Sequence, residues 1–160
     1  MGACEAAKSI SGEEQRFMKD VKCKLVETEE ELKKADSIRH EIFVKEQKLF
    51  LKSDRDEFDS NAIHIIAISH DEVVGTVRVY EKEKDVWFGS RLAVLKPFRG
   101  RAGKVLIEKA KETVKKRKAK KFMAYVQLPN VPFFRRHRWK SVGDVIDYHG
   151  IPHQLMETQL

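Results

Sequence analysis

Apolar and polar residues alternate along five short stretches of the chain and recur at helical spacing in two longer ones. Because successive side chains of a strand point to opposite faces, the alternation predicts strands at 21–26, 62–69, 73–81, 86–95 and 122–127. Apolar residues three or four apart predict a helix after the capping box at 28–31 and a second helix from 104 to about 118. The pattern also predicts a final hairpin around Gly150 and a bulge or close backbone approach at Gly75.

Composition and length fit one globular domain. The 160 residues are 41% apolar and 36% charged, with a net charge of +7. Residues 1–20 are polar and weakly patterned, which predicts a loose arm before a single domain at 21–160. Cys4 and Cys23 are too few for a disulfide framework or a metal site. With no long apolar run and no signal-peptide pattern, we expect a cytoplasmic protein without a membrane segment or a metal.

A strand, a basic turn and a helix follow one another between residues 91 and 118. Pro97 ends the strand, because proline cannot donate to a sheet ladder. The turn then combines two glycines with three cations: Gly100, Gly103, Arg99, Arg101 and Lys104. Such a turn is either a structural connection or a phosphate site, since a helix start offers unpaired N–H groups to an anion. The spacing fits neither the P-loop nor the dinucleotide-binding fingerprint.

The residues of this stretch resemble the coenzyme loop of the GNAT acetyltransferases, [Q/R]-x-x-G-x-[G/A] after a strand of the form L-x-V-x-P-x-x-R-G. Leu92, Val94, Arg99 and Gly100 match, whereas the loop aligns only if it is one residue short. Segments 38–47, 64–79, 130–139 and 150–156 add further motifs, and most of them are typical of the ElaA-like branch of that family. The first of these, apart from its Glu-Gln pair, also reads as an amphipathic helix running into an extended segment.

The resemblance implies an α/β (α+β) GNAT fold. Its mixed central sheet has about six to seven strands, is splayed between two parallel strands and is flanked by about four helices. It further implies acetyl-CoA (coenzyme A) as the donor and direct attack on the thioester by the amine of a small molecule. The implied coenzyme-binding residues are Leu92, Ala93 and Val94 for the pantetheine arm, Arg99, Gly100, Arg101, Ala102, Gly103 and Lys104 for the pyrophosphate, and Asn130, Phe133 and Phe134, which close against the coenzyme.

The catalytic base stays open. Relatives often place a glutamate on one of the splayed strands, but the matching positions here hold Phe88 and Tyr125. Three residues are candidates: Tyr125, His64 and His153, with Glu46 as an outside candidate. Histidine titrates in the useful range, yet packing alone also explains each of these residues. In addition, Phe134 stands where many relatives carry a tyrosine that protonates the departing thiolate.

Residues 52–61 form a charged loop, called here the acidic loop, with Asp54, Asp56, Glu57 and Asp59. A calcium site is excluded, because the loop lacks the required glycine and Phe58 occupies a ligand position. We interpret the loop as a solvated acidic segment. The alternative is an electrostatic lure for a cationic amine acceptor.

Other functions and partners stay open at this stage. A non-catalytic relative that binds acyl-CoA or a partner protein would also fit, and so would an acyltransferase that uses an acyl-carrier-protein donor. The lysine-rich helix face is interpreted as solvated, and the absence of interleaved aromatic residues argues against nucleic acid. We expect a monomer or a homodimer paired through an exposed C-terminal strand edge.

Overall fold

Seven strands form one mixed sheet in residues 20–160, the part of the chain that the computed structural model describes. The strands are β1 (Lys22–Leu25), β2 (Ile63–Ser69), β3 (Glu72–Glu83), β4 (Val86–Val94), β5 (Lys121–Gln127), β6 (Trp139–Tyr148) and β7 (Ile151–Thr158). Their spatial order is β1-β2-β3-β4-β5-β7-β6, and β4 and β5 alone among these neighbours run parallel. The predicted mixed sheet is confirmed. The predicted arm lies outside the described residues, apart from Asp20.

Three α-helices occur in the described residues: α1 (Glu29–Arg39), α2 (Arg101–Lys116) and α3 (Val131–Arg136). The capping box of α1 is confirmed, because Thr28 Oγ1 accepts from the Glu31 amide at 3.1 Å and Glu31 Oε1 accepts from the Thr28 amide at 3.1 Å. Helix α2 begins three residues earlier than predicted. Gly100 adopts a φ of +89° and accepts a backbone hydrogen bond from Lys104 at 2.9 Å, so most of the basic turn is the first turn of the helix.

A π-helical stretch, His40–Glu46, continues directly from α1 and is called here the π segment. The extended conformation expected there is wrong, since the Gln47 amide donates to the Ile42 carbonyl, five residues back, at 2.8 Å. Ile42 and Phe43 are both buried and pack against Ala93 and Leu49. The wider turn therefore puts two consecutive large apolar residues against the sheet, which a strand would have placed on opposite faces.

The helices cover opposite faces of the sheet. Helix α2 packs on one face with Leu92 and Val94, whereas the π segment packs on the other face with Ala93. The close approach predicted at Gly75 is confirmed, because a Cβ there would lie 3.0 Å from Leu106 Cδ1 and 3.2 Å from the Ala93 carbonyl. The bulge is at the neighbouring residue, Val74, where the register with β2 shifts.

Two irregularities of β4 position the site. Between the pairs Arg78–Ser90 and Thr76–Ala93, β4 has two residues and β3 has one, so β4 bulges at Arg91, whose φ is +54°. Pairing with β5 covers only Val86 to Phe88 on β4. Beyond these pairs the parallel strands separate, and we call the space between them the gap.

The far edge of the sheet is β6, not the C-terminal strand. Strand β7 pairs with β5 on one side and with β6 on the other. The expectation that the C-terminal strand has an exposed edge for pairing in a dimer is therefore wrong. Among residues 20–160, no helix is both long and apolar enough to cross a membrane.

Candidate functional site

The backbone of β4 faces the gap at alternate residues. The Leu95 amide donates to the Val74 carbonyl at 2.9 Å, and Ala93 pairs with Thr76, so these residues direct their backbone groups toward β3. By the alternation of a strand, Leu92 and Val94 direct theirs toward the gap. Of the three residues predicted to pair with a pantetheine arm, Leu92 and Val94 are placed to do so, while the backbone groups of Ala93 are used within the sheet.

The gap opens toward the N-terminus of α2. In its first turn, Arg101, Ala102 and Gly103 have amides without a carbonyl partner inside the helix, as every helix start does. This turn contains no acidic residue, so the positive end of the helix dipole is not neutralised there. The Arg101 side chain is exposed and Lys104 is half-buried. The arrangement suits an anion such as a phosphate.

The Arg99 side chain turns away from the helix start and is already paired. Its Nε donates to the Val94 carbonyl at 3.0 Å, and its Nη2 forms an ion pair with Glu46. Lys96 Nζ lies 3.4 Å from the same carboxylate. Glu46, the outside candidate for a base, is thus held by two cations.

The neighbouring Gln47 reaches the other side of the gap, where its side-chain oxygen accepts from Gln127 Nε2 at 3.0 Å. Glu46 and Gln47 thus connect the π segment to the basic turn and to β5. These contacts explain the Glu-Gln pair, which packing alone did not account for.

A cavity of about 210 Å³ lies beside the gap, on the face of the sheet covered by the π segment. Four of its lining rings form what we call the aromatic row: Phe58, Tyr80, Phe88 and Tyr125. Their successive centroids are 4.3, 6.3 and 5.9 Å apart, and successive ring planes differ by 14° to 25°. The polar lining includes Asp56, Arg78, Lys82, Arg91 and His153. A small organic molecule fits here against the stacked rings, next to the strand edge that faces the gap.

A parallel strand pair that separates beside a basic helix start is the feature that the sequence motifs implied. A profile of the acetyltransferase (GNAT) family matches residues 25–138, which is more than half of the chain. The chain belongs to the GNAT acetyltransferase family. Its members carry out acyl transfer, so this chain has an acyltransferase fold. Its cavity lies beside the gap between β4 and β5.

Individual relatives agree with this assignment. The chain is 30% identical over 141 residues to the uncharacterized N-acetyltransferase YjcF of Bacillus subtilis, covering 85% of this chain and 98% of that protein. In fold it resembles Escherichia coli ElaA, with a TM-score of 0.76 at 22% identity over 87% of this chain and 99% of ElaA. A GNAT acetyltransferase from Elizabethkingia anophelis, solved with acetyl-CoA bound, gives a TM-score of 0.64 at 11% identity over 88% and 99% of the two chains.

Two of the three catalytic candidates line the cavity of this GNAT domain. Tyr125 is half-buried on β5, on the same face as Gln127, as the alternation predicted. His153 is buried on β7 opposite Gln127, and its Nδ1 lies 2.8 Å from the Ile151 carbonyl. Because a carbonyl only accepts, Nδ1 carries the proton of the neutral ring and Nε2 keeps a lone pair. Burial lowers the pKa of His153 to about 4, so the ring is neutral at pH 7 and a weak base.

His64, the third candidate, is not among the residues that line the cavity. Its Nε2 lies 3.1 Å from the Asp59 carbonyl, to which it donates, and its Nδ1 is buried without a hydrogen-bond partner among the described residues. The position of the ring favours the structural interpretation over the catalytic one.

The aspartates of the acidic loop are not solvated, so that interpretation is wrong for Asp54 and Asp59, which are buried. They join Asp56 and three buried arginines in what we call the Arg–Asp network: Arg39, Arg78, Arg91, Asp54, Asp56 and Asp59. Burial alone would raise the pKa of Asp56, but hydrogen bonds and charge from Arg78 and then Arg91 hold it below its usual range. All three carboxylates are paired with guanidinium groups, so they do not form a lure for a cation.

The sequence did contain a sign of this network. Arg39 ends a predicted apolar helix face, and Arg78 and Arg91 stand in strands that are otherwise largely apolar. A charged side chain at such positions is almost never fully buried unless it is paired. Three such arginines therefore indicate that carboxylates lie beside them, and these carboxylates are Asp54, Asp56 and Asp59 of the acidic loop.

The remaining coenzyme candidates are buried. Asn130 lies just before α3, and Phe133 and Phe134 lie within it. Phe134 packs edge-on against Trp139, with ring centroids 5.4 Å apart. A phenylalanine there has no hydroxyl to protonate a departing thiolate, so this position supplies no general acid.

Proposed function

We propose that this protein is an N-acyltransferase that moves an acetyl group from acetyl-CoA to the amine of a small molecule. The observation that carries the proposal is the gap: β4 and β5 separate after Phe88 and Met123, next to an uncompensated helix N-terminus and a cavity. Family membership supports acyl transfer, and the acetyl-CoA bound to the Elizabethkingia relative supports the donor.

In this proposal the pantetheine arm lies in the gap and pairs with the backbone of Leu92 and Val94. The pyrophosphate lies on the amides of residues 101–103, with the cations of Arg101 and Lys104 beside it. Arg99 contributes through its backbone and by fixing the loop, since its side chain is bound to Val94 and Glu46. Asn130, Phe133 and Phe134 form the buried support of the opposite wall.

The reaction is a direct transfer. The lone pair of a neutral amine attacks the thioester carbonyl carbon, the C–N bond forms, the C–S bond breaks, and the sulfur leaves as a thiolate that takes up the proton lost by nitrogen. A backbone amide of β4 facing the gap stabilises the developing oxyanion. Tyr125 and His153 are placed to orient the amine and pass on its proton, and much of the rate comes from holding the two reactants together.

A second candidate function is acyl-CoA binding without catalysis. It is favoured by Phe134 in place of the family's tyrosine and by the lack of an unpaired carboxylate among the described residues that line the cavity. Detection of an acetylated amine product separates the two.

We expect Lys104→Ala to weaken acetyl-CoA binding about fivefold, since one partly buried charge near a phosphate contributes on the order of 1 kcal/mol. Isothermal titration calorimetry measures the dissociation constant. Lys115→Ala is the matched control, because Lys115 is an exposed lysine in the last turn of the same helix. Equal effects of the two substitutions would contradict a coenzyme site at the N-terminus of α2, and no binding to the wild type would contradict the proposal as a whole.

A further inference from the structure

The rings of the aromatic row stack on one another along one side of the cavity and present a row of ring edges to it. Tyr80 and Phe88 are almost fully buried in the middle, whereas Phe58 and Tyr125 at the two ends are half-buried and present more of their rings. Since aromatic groups pair best as offset or edge-on rings 4.5 to 7 Å apart, such a surface favours a planar guest over a branched aliphatic one.

The charges around the cavity disfavour a cationic guest. The Arg–Asp network contains three positive and three negative groups and is balanced. Lys82 adds a further positive charge, with Nζ 4.7 Å from the centre of the Phe88 ring, and no carboxylate of residues 20–160 lies within 4 Å of it. An ammonium entering this space would be repelled by Lys82, the cations Arg78 and Lys82 already face the rings of the row, and Asp56 is already paired with two arginines.

The titratable groups that line the cavity also disfavour a protonated amine. Asp56 is the one carboxylate among the described residues lining the cavity, and its oxygens already accept from Arg78, Arg91 and the Phe58 amide. The other titratable or charged lining groups are Arg78, Tyr80, Lys82, Arg91, Tyr125, Tyr148 and His153. The arginine and lysine side chains of the lining are hydrogen-bond donors only, and burial lowers the pKa of His153 to about 4, so that its neutral ring is a weak base. The amine therefore has to arrive already neutral.

We infer that the acceptor is a weakly basic aromatic amine, with its nitrogen attached directly to the ring; this rests on the proposed acetyltransferase function. Conjugation with the ring keeps such a nitrogen unprotonated near pH 7, whereas an alkyl amine, like the lysine side chain, is almost fully protonated there. The ring lies along the aromatic row, and the nitrogen points toward the thioester in the gap. Attack then needs no prior deprotonation, and the proton released on C–N bond formation goes to the departing thiolate.

The isomers 4-methylaniline and benzylamine test this inference, because they have the same atoms and differ in whether nitrogen is bonded to the ring. With acetyl-CoA as donor, we expect kcat/KM at pH 7 to be higher for 4-methylaniline and nearly constant between pH 6 and 9. For benzylamine it should rise about tenfold per pH unit as the neutral fraction grows. A preference for benzylamine at pH 7 would overturn the inference.

Failure of the inference is distinguishable from failure of the proposed function. If acetyl-CoA binds and benzylamine or another alkyl amine is acetylated while 4-methylaniline is not, the acceptor class is wrong and the proposed function stands. If acetyl-CoA binds and no amine of either class is acetylated, the protein is the non-catalytic binder and the proposed function fails. If acetyl-CoA does not bind, the proposed function fails and the inference fails with it.

Two variants test the two structural arguments separately. Lys82→Met should shift the ratio of kcat/KM values toward benzylamine by up to about fivefold. Lys84→Met should leave the ratio unchanged, because both lysines are exposed on the same hairpin but only Lys82 lines the cavity. Phe58→Leu should lower kcat/KM for 4-methylaniline by up to about tenfold through loss of ring stacking. An unchanged ratio in Lys82→Met would overturn the electrostatic argument, even if the Phe58 variant proved unstable.

Discussion

Arg39 shows what a single buried charge does in this molecule. Its side chain is 1% exposed, and it donates to Asp54 and Asp59 at 2.6 Å each. Burying such a group is costly, so the network need not stabilise the fold relative to apolar residues of the same shape. Removing one partner is different, because the remaining charges are then buried without compensation.

We expect Arg39→Met to lower the free energy of unfolding by about 3–5 kcal/mol, as for other broken buried ion pairs. Urea unfolding followed by circular dichroism measures it. Arg55→Met is the control, because Arg55 binds Asp36 at 2.8 Å but is 56% exposed, and such a pair contributes less than about 1 kcal/mol. A loss below about 1 kcal/mol in Arg39→Met would show that the acidic loop is not held by this network.

Among the elements, the π segment contacts both the cavity and the basic turn before α2. It carries Phe43 into the cavity lining, while Glu46 at its end holds Arg99 and Lys96. The carboxylate therefore pairs with two cations that lie just before the N-terminus of α2.

Glu46→Gln should tighten acetyl-CoA binding by about threefold, because an anion beside the phosphate site is removed and the two cations are no longer neutralised. Calorimetry with acetyl-CoA gives the dissociation constant. Glu41→Gln is the control within the same segment, since Glu41 pairs with the exposed Lys45 at 3.6 Å. Weaker binding in Glu46→Gln would mean instead that Glu46 acts by holding the loop in its binding conformation.

The elements were predictable where local rules decide them. Alternation located most of the strands, and the Thr28–Glu31 pair fixed the start of α1 because its hydrogen bonds are local. The π segment was not predictable, since its widening depends on how Ile42 and Phe43 meet the sheet. The early start of α2 likewise depends on the positive φ of Gly100, which its sequence permits but does not require. Of the candidate site, the motifs located the basic turn and the strand before it, and their binding of a coenzyme stays a prediction. The cavity was not predictable in this way, because it combines residues from five parts of the chain.

For the whole molecule, the buried titratable groups set how stability depends on pH. Burial lowers the pKa of His153 to about 4, and it also lowers the pKa of His137. The pKa values of Asp56 and Asp59 are likewise below their usual range, because their arginine partners outweigh burial. In every case the unfolded chain binds more protons than the folded one within the affected window, so stability is lost as pH falls.

The histidines and the aspartates act in different windows. We expect the free energy of unfolding to decline between about pH 6.5 and 4, where unfolded histidine is protonated and folded His153 is not, and to decline again below about pH 3.8 as the aspartates protonate. His153→Asn should reduce the first decline and leave the second, with His137 accounting for part of what remains. Urea unfolding at half-unit pH steps measures both, and an unchanged first decline would show that His153 is not buried as a neutral ring.

The acidic loop is held in place by three of its aspartates. Asp54, Asp56 and Asp59 bind the arginines, whereas Arg55 and Glu57 between them are exposed. Phe58 takes no part in those ion pairs, yet its ring ends the aromatic row and lines the cavity. A substitution of Phe58 can thus change the side chain at this end of the cavity, while the ion pairs that hold the loop remain. If the cavity takes the acceptor as proposed, residue 58 is the position to randomise in a selection for new acceptors.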